Sequence, residues 1–351
     1  MIPHSRPWFT EEDAEAVAAV VRRGQVAGGA EVAAFEAEIA AWSGQREAVA
    51  ASSGTAALSL ALGALGVGPG DEVVIPSYVC SALYHAVRSV RATPVLADCA
   101  PGSYAVSAAT LQPHLGPATR AVILPHLFGF PAAAAEVAAL GVPLIEDCAM
   151  ALGATREGRP VGSFGRLAVF SFYATKLLAT GEGGMVATSS DHLAARLRRA
   201  RAYDERQELE VCFNYKLTDL QAALGRSQLR RYPLFLARRR EIAARYAEAF
   251  ADLAAQLPVA SAESTSCWFR YVVRCRPPLD GLLEAARAAG VGCARPVFRP
   301  LHRYLGQPDE AFPEAAALQA MALSIPCYPA LSDAEVERVI RVMRPLLQRQ
   351  G

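Results

Sequence analysis

The sequence is nearly without lysine. Lys176 and Lys216 are alone among 35 lysines and arginines. A guanidinium stays charged and cannot serve as an amine nucleophile, whereas a lysine can lose its proton and form a Schiff base with a carbonyl. A lysine in a chain that otherwise uses arginine suggests a position that needs an amine; the plainer reading is a surface residue. Other absences narrow the field. The eight cysteines form no CxxC pair and no Cys/His cluster at zinc spacing. Buried thiols in a reducing cytoplasm are therefore expected, rather than disulfides or metal ligands. Neither GxxxxGKS/T nor GxGxxG occurs, so a nucleotide P-loop and a dinucleotide fingerprint are unsupported. The opening MIPHSRPWFTEED has no apolar run, and no secretory signal is expected. Net charge is +1, and nothing calls for nucleic acid or an anionic membrane.

What is present is a chain long enough for two domains and a large core. The uncharged stretch 48–70 is dense in Ser, Thr and Gly, and reads as a short buried helix and a turn rather than a membrane span. Thr10-Glu11-Glu12-Asp13 resembles a capping box and Gly24 a C-cap, which gives an N-terminal helix. Residues 30–42 carry an apolar face at helical spacing. Apolar strands are expected at 48–51, 72–76, 93–97, 121–125, 143–145, 167–172 and 184–188. Helices at 56–65, 80–90 and 132–140 alternate with them. This pattern predicts an α/β domain with a mostly parallel sheet covered on both faces, binding ligand at the carboxyl ends of its strands. Further helices are expected at 191–206, 217–232, 238–255 and 279–289, with a strand at 267–275. The final helix is capped by Ser332-Asp333-Ala334-Glu335. The arginines of 191–206 read as a solvated face. The helix from 238 leads toward a smaller domain, so the expected division is 1–235 and 236–351.

Three stretches carry chemistry. Ser53-Gly54-Thr55 opens a helix directly after a strand: either an anion site of backbone N–H groups and hydroxyls, or an ordinary N-cap. Asp147 ends a buried-looking strand, where a carboxylate needs a partner: a protonated pyridine nitrogen, an arginine or a helix cap. Lys176 follows a later strand in SFYATKLLATGEGG, with Ser171 available to bind phosphate. Gly181, Gly183 and Gly184 let the chain turn closely around whatever Lys176 holds. A phosphate cradle, an acid and an amine together fit pyridoxal phosphate (PLP). His126 reads as a satisfied structural histidine.

The segments ASSGTAALSLALGALGVGPGDEVVIPSY, PVLAD, ILPHLFGFP, PLIEDCAMALGA, FSFYATKLLATGEGGMV, FNYKLTDLQAALG and LSIPCYPALSDAEVERV occur in that order. Together they resemble the DegT/DnrJ family of PLP-dependent sugar aminotransferases from about Ile2 to the end. The resemblance implies an aspartate-aminotransferase-like fold (PLP fold type I), with a large domain and a smaller C-terminal α/β domain, and a cytoplasmic homodimer with shared active sites. It implies Lys176 as the internal aldimine and Asp147 as partner of the pyridine nitrogen. Gly54, Thr55 and Ser171 would hold the phosphate, and Asn214 would reach it from the other subunit. Three positions depart from the family pattern. Met150 replaces a glutamine that touches the ring hydroxyl, and Leu152 a frequent histidine. Cys80 replaces a stacking aromatic, with Tyr78 the substitute two residues earlier. His302 resembles a family histidine near the sugar. Arg295 and Arg299 either meet a substrate phosphate or carboxylate, or are surface residues. The implied reaction moves an amino group from an amino acid, most often L-glutamate, to a nucleotide-linked keto-sugar, with pyridoxamine phosphate carrying it between half-reactions. A sugar dehydratase of the family typically has histidine in place of the lysine. A cyclitol aminotransferase and a non-catalytic regulatory protein on the same fold are the remaining alternatives.

Overall fold

In the computed structural model, described for all residues except 205, 206, 208, 254, 255, 350 and 351, seven short strands form the central sheet. They are β1 (Glu47–Ala51), β2 (Glu72–Pro76), β3 (Thr93–Ala97), β4 (Thr119–Pro125), β5 (Leu144–Asp147), β6 (Leu167–Ser171) and β7 (Gly184–Thr188). Their spatial order is β1-β7-β6-β5-β4-β2-β3. Every neighbouring pair is parallel except the two made by β7, which runs against both β1 and β6. The strands are apolar on both faces because both faces are covered. Val49 and Ala51 pack with helix Gly54–Ala64, while Ala48 and Ala50 pack toward helix Ala30–Ser43 and helix Asp219–Phe250.

The caps expected from sequence close the helices they should. Thr10 and Asp13 form a capping box at helix Glu11–Arg23, which ends at left-handed Gly24. Ser332 and Glu335 do the same for helix Asp333–Gln348. The two helices expected at 217–232 and 238–255 are one helix, Asp219–Phe250, running through Pro233. Proline normally interrupts a helix by removing an N–H and crowding the preceding turn. Here Tyr232, Phe235 and Leu236 are buried on either side of it, and packing overrides the local preference. Residues 254 and 255 of the expected helix, and 205 and 206 of the basic one, lie outside the described residues; the latter helix is seen as Asp191–Arg201.

The strand expected at 267–275 is confined to Tyr271–Arg274. Trp268 adopts a left-handed φ of 51°, which side chains disfavour and which breaks the extended run. The Cys267 and Arg270 amides instead donate to Gly129 O (3.1 Å) and Phe128 O (3.2 Å), just past β4. The last core contains residues from Ile242 to Leu347 together with Ile2. Ile2 is tied in by its amide to Gly290 O and by Gly292 N–H to its own carbonyl, both 2.8 Å.

One buried carboxylate couples the long helix to its neighbour. Asp219 Oδ1 accepts from the amides of Gly29 (2.8 Å) and Val32 (3.0 Å), at the start of helix Ala30–Ser43. Asp219→Ala strands both donors, and the expected cost is about 2 kcal/mol. A lowered unfolding midpoint checks it; an unchanged midpoint would remove this contact from the account.

Candidate active site

The register of three strands builds the floor of the site. Gly184 pairs with Ala51 on one side and Ser171 on the other. This places the turn after β1 against the end of β6. Ser53 caps the helix by accepting from Ala56 N–H (3.1 Å). Among the described residues the amides of Gly54 and Thr55 have no acceptor. A Cβ on Gly54 would sit 2.8 Å from Ser171 Cβ and 3.0 Å from its Oγ, so the close approach requires glycine. Two free amides at a helix N-terminus beside two hydroxyls, Thr55 and Ser171, fit a phosphate.

Lys176 sits on a tight loop leaving β6. Its amide donates to Tyr173 O (2.8 Å), Ala174 N–H to Gly181 O (2.9 Å), and Thr180 N–H to Phe172 O (2.8 Å). Gly181 takes a φ of 82° to close the loop. Nζ lies 5.6 Å from the centre of the Phe269 ring. Burial depresses the ammonium pKa, Cys80 and the Asp147 charge oppose this, and Arg270 reinforces it.

Asp147 is 8% exposed and accepts one hydrogen bond, from Ala149 N–H to Oδ1 (3.0 Å). Burial raises its pKa, with that amide and the Lys176 charge pulling the other way. Among the described residues no cation lies within ion-pair distance of it. A buried carboxylate with one partner has room for a cation, and a protonated pyridine nitrogen is of that kind. Cradle, carboxylate and amine therefore fit PLP. Cys80 is exposed yet lies beside the same space, where partial desolvation and the Asp147 charge push its thiol pKa up, while the Lys176 charge opposes them. Met150 is half-buried between two cores.

Two residues expected at the site are buried. Tyr78 is wholly buried, with its ring 6.4 Å from that of Tyr104 and 6.5 Å from that of Phe128. It presents no face to the site, so it does not substitute for the stacking aromatic. His302 is also fully buried. Its Nδ1 meets Ser77 Oγ (2.6 Å), its Nε2 meets Asp309 Oδ1 (2.9 Å), and its ring stacks on Phe312. With both nitrogens engaged, it pins the 301–304 turn to the end of β2. Arg295 pairs with Asp280 (2.9 Å), and Arg299 is exposed with a bond to Arg303 O (2.9 Å). Asn214 and Thr55 are exposed.

His126 is structural, as its residue type suggested. Ala132 N–H donates to Nδ1 (2.9 Å), so the proton sits on Nε2 and is donated to Glu146 Oε2 (3.0 Å). Burial alone would raise the Glu146 pKa. The His126 bond and the amides of Gly162, Phe164 and Gly165 hold it below the ordinary range. Cys148 joins these two within 4.8 Å, but a neutral imidazole with both nitrogens engaged has no lone pair for a metal. Sequence reasoning missed Arg270, Phe269 and His4. An arginine carries little signal in a chain where arginine is the default cation.

Gly54→Ala should weaken PLP binding about tenfold or more, the effect of 1–3 kcal/mol of crowding. Gly63→Ala, in the same helix with nothing within 4 Å of its Cβ position, should not. A cofactor titration followed by absorbance checks the pair; equal affinities would contradict the cradle.

Comparison with known proteins agrees with this geometry. Residues 7–344 match the DegT/DnrJ/EryC1/StrS aminotransferase family. The chain is 35% identical over 333 residues to GDP-perosamine synthase of Caulobacter vibrioides, covering 89% of each chain. It is 36% identical over 325 residues to a UDP-N-acetyl-3-dehydro-alpha-D-glucosamine 3-aminotransferase of Acidithiobacillus ferrooxidans, covering 90% of this chain and 88% of that one. The PLP form of a putative sugar aminotransferase of Streptococcus pneumoniae superposes with a TM-score of 0.94 at 25% identity, covering 100% of this chain and 99% of that one. The likeness spans the lysine loop, the aspartate strand and the glycine turn alike, and the chain belongs to the DegT/DnrJ/EryC1/StrS family of PLP-dependent aminotransferases.

Proposed function

We propose that the protein transfers an amino group from an amino acid, L-glutamate foremost, to a keto-sugar carried on a nucleotide. The observation that carries this reading is the convergence of Lys176, Asp147 and the Gly54–Ser171 cradle at the carboxyl ends of β5, β6 and β1. The nucleotide-sugar names of the two relatives above support the acceptor class.

When bound, PLP supplies an aldehyde that takes up and returns the amino group, and a ring that accepts electrons from the carbon losing its proton. The amides of Gly54 and Thr55 and the hydroxyls of Thr55 and Ser171 hold its phosphate. The Asp147 carboxylate keeps a proton on the pyridine nitrogen, because a cation there relieves its own burial. Lys176 holds the aldehyde. Once displaced by the donor, its amine would take the proton from the donor's α-carbon and return it to the cofactor carbon that carried the aldehyde. The depressed pKa of Lys176 suits an amine that must act as a base near neutrality.

The presence of Lys176 speaks against the dehydratase alternative, and the intact acid and amine against a regulatory protein. The reading includes a homodimer, in which exposed Asn214 reaches the partner's phosphate site. It includes a division at 235/236, with the Ile242–Leu347 core as the heart of the smaller domain. Cytoplasmic placement is supported by the eight free thiols. Among the described residues no helix is long and apolar enough to cross a membrane.

The test is single-turnover absorbance with L-glutamate. The loaded protein should lose its visible cofactor band within the mixing experiment. Lys176→Ala should slow proton transfer by at least about 10³-fold while keeping its fold. A Lys176→Ala protein that turned over at the parent rate would overturn the reading.

A further inference from the structure

The loop that carries Lys176 is gripped from one side by helix Asp219–Phe250. The strands fix only the ends of the loop, where Ser171 pairs with Gly184. The helix fixes its far part through two glutamines. Gln221 and Gln228 are seven residues apart, so they lie on one side of the helix about 10 Å along its axis. Gln221 Nε2 donates to Glu182 O (2.7 Å). Gln228 Oε1 accepts from Ala179 N–H (3.0 Å). Thr180 sits between these two points and ties the loop to itself, by its amide to Phe172 O (2.8 Å) and its hydroxyl to Glu182 O (2.7 Å).

The same stretch of chain also holds the phosphate cradle. Ser52 N–H, at the turn into Ser53-Gly54-Thr55, donates to Tyr215 O (2.8 Å), four residues before the helix. Gln221 is fastened to the start of that helix, where its Oε1 accepts from the amide (3.2 Å) and the hydroxyl (2.9 Å) of Thr218. Residues 215–228 therefore meet the cradle at one end and the lysine loop at two points.

Gln228 is a poor choice for stability alone. It is 2% exposed, and its Nε2 is enclosed without a partner among the described residues. The amide cannot turn over to relieve this, because Ala179 N–H needs the oxygen. An orphaned buried donor is unfavourable, and an apolar side chain of similar size would fill the space without one. What the glutamine supplies is a fixed place for Ala179, three residues beyond Lys176. Placement matters here, because a misplacement of about 1 Å in a reacting group costs rate steeply.

We propose that Gln228 and Gln221 are positioning residues that keep the Lys176 loop in register with the phosphate cradle, so that the Lys176 amine meets the aldehyde of a cofactor whose phosphate is already seated. The proposal rests on the PLP reading of the site. Both side chains act through the loop backbone.

The experiment titrates the full chain with two forms of the cofactor. PLP seats its phosphate and also bonds Lys176 with loss of water. Pyridoxamine phosphate seats the same phosphate and has no aldehyde to bond. The ratio of the two Kd values thus reports the reach of the lysine separately from the cradle. Gln228→Leu should raise the Kd for PLP about 3- to 10-fold, the range of one hydrogen bond, and leave that for pyridoxamine phosphate within about twofold. Its unfolding midpoint should stay near the parent's, because removal of the orphaned Nε2 offsets the stranded Ala179 amide. Gln221→Glu keeps the acceptor of the helix cap and loses only the donor to Glu182 O, so it should act in the same direction. Gln228→Glu keeps an acceptor for Ala179 N–H and should return the PLP affinity toward the parent's. Equal weakening of both cofactor forms, no weakening of PLP, or a Gln228→Glu protein as weak as Gln228→Leu would overturn the assignment. A parent protein in which borohydride fixed no cofactor to Lys176 would instead overturn the PLP reading itself.

Discussion

Asp147 is buried and Lys176 half-buried, and among the described residues they do not pair with each other. Each shifts the other's pKa, so they share one electrostatic environment. A direct ion pair would have been the cheaper way to enclose them, because a buried charge without a partner is strongly unfavourable. Holding them apart costs stability and leaves a space with an acid on one side and an amine on the other. β5 and β6 are parallel neighbours in the sheet, so their carboxyl ends open on the same side. Asp147 ends one, and a hydrogen-bonded loop after the other carries Lys176.

The rest of the site follows from how tightly the backbone is drawn in. The Ala51–Gly184–Ser171 register brings a helix N-terminus onto the end of β6, and Gly54 is where a side chain would stop it. Behind this floor, His126 and Glu146 form a fully satisfied polar lock that holds the turns after β4 and before β6 to β5. That lock is spent on structure. The C-terminal strand supplies the opposite wall through Phe269 and Arg270, and the N-terminal segment, tied in at Ile2, brings His4 across to it.

Much of this is legible in the sequence. The rare lysine, the strand-ending aspartate and the glycine after β1 each advertised a chemical need, and each fell at a strand terminus. The seven strands were legible because a buried parallel sheet writes continuous apolar runs. Three things were hidden for physical reasons. Pro233 reads as a helix stop, yet aromatic packing on both sides carries the helix through it. Trp268 takes a left-handed conformation that no pattern of residue types announces, and it shortens the expected strand. Tyr78 and His302 sit in segments that resemble ligand-contacting ones, but burial turns them inward, the tyrosine into an aromatic cluster and the histidine onto Ser77 and Asp309. Arg270 was invisible for the opposite reason: nothing distinguishes one arginine among many until its place beside Phe269 and its unpartnered Nε are seen.

The central claim is that one of two lysines is the covalent anchor. The most direct measurement is peptide mass mapping of the PLP-loaded protein after borohydride reduction, which fixes the cofactor to whichever amine held it. The account predicts one pyridoxyl adduct per chain, on the peptide containing Lys176, and none on Lys216, which is exposed and paired with Asp204. An adduct on Lys216, or a fully loaded protein with no adduct on Lys176, would contradict it.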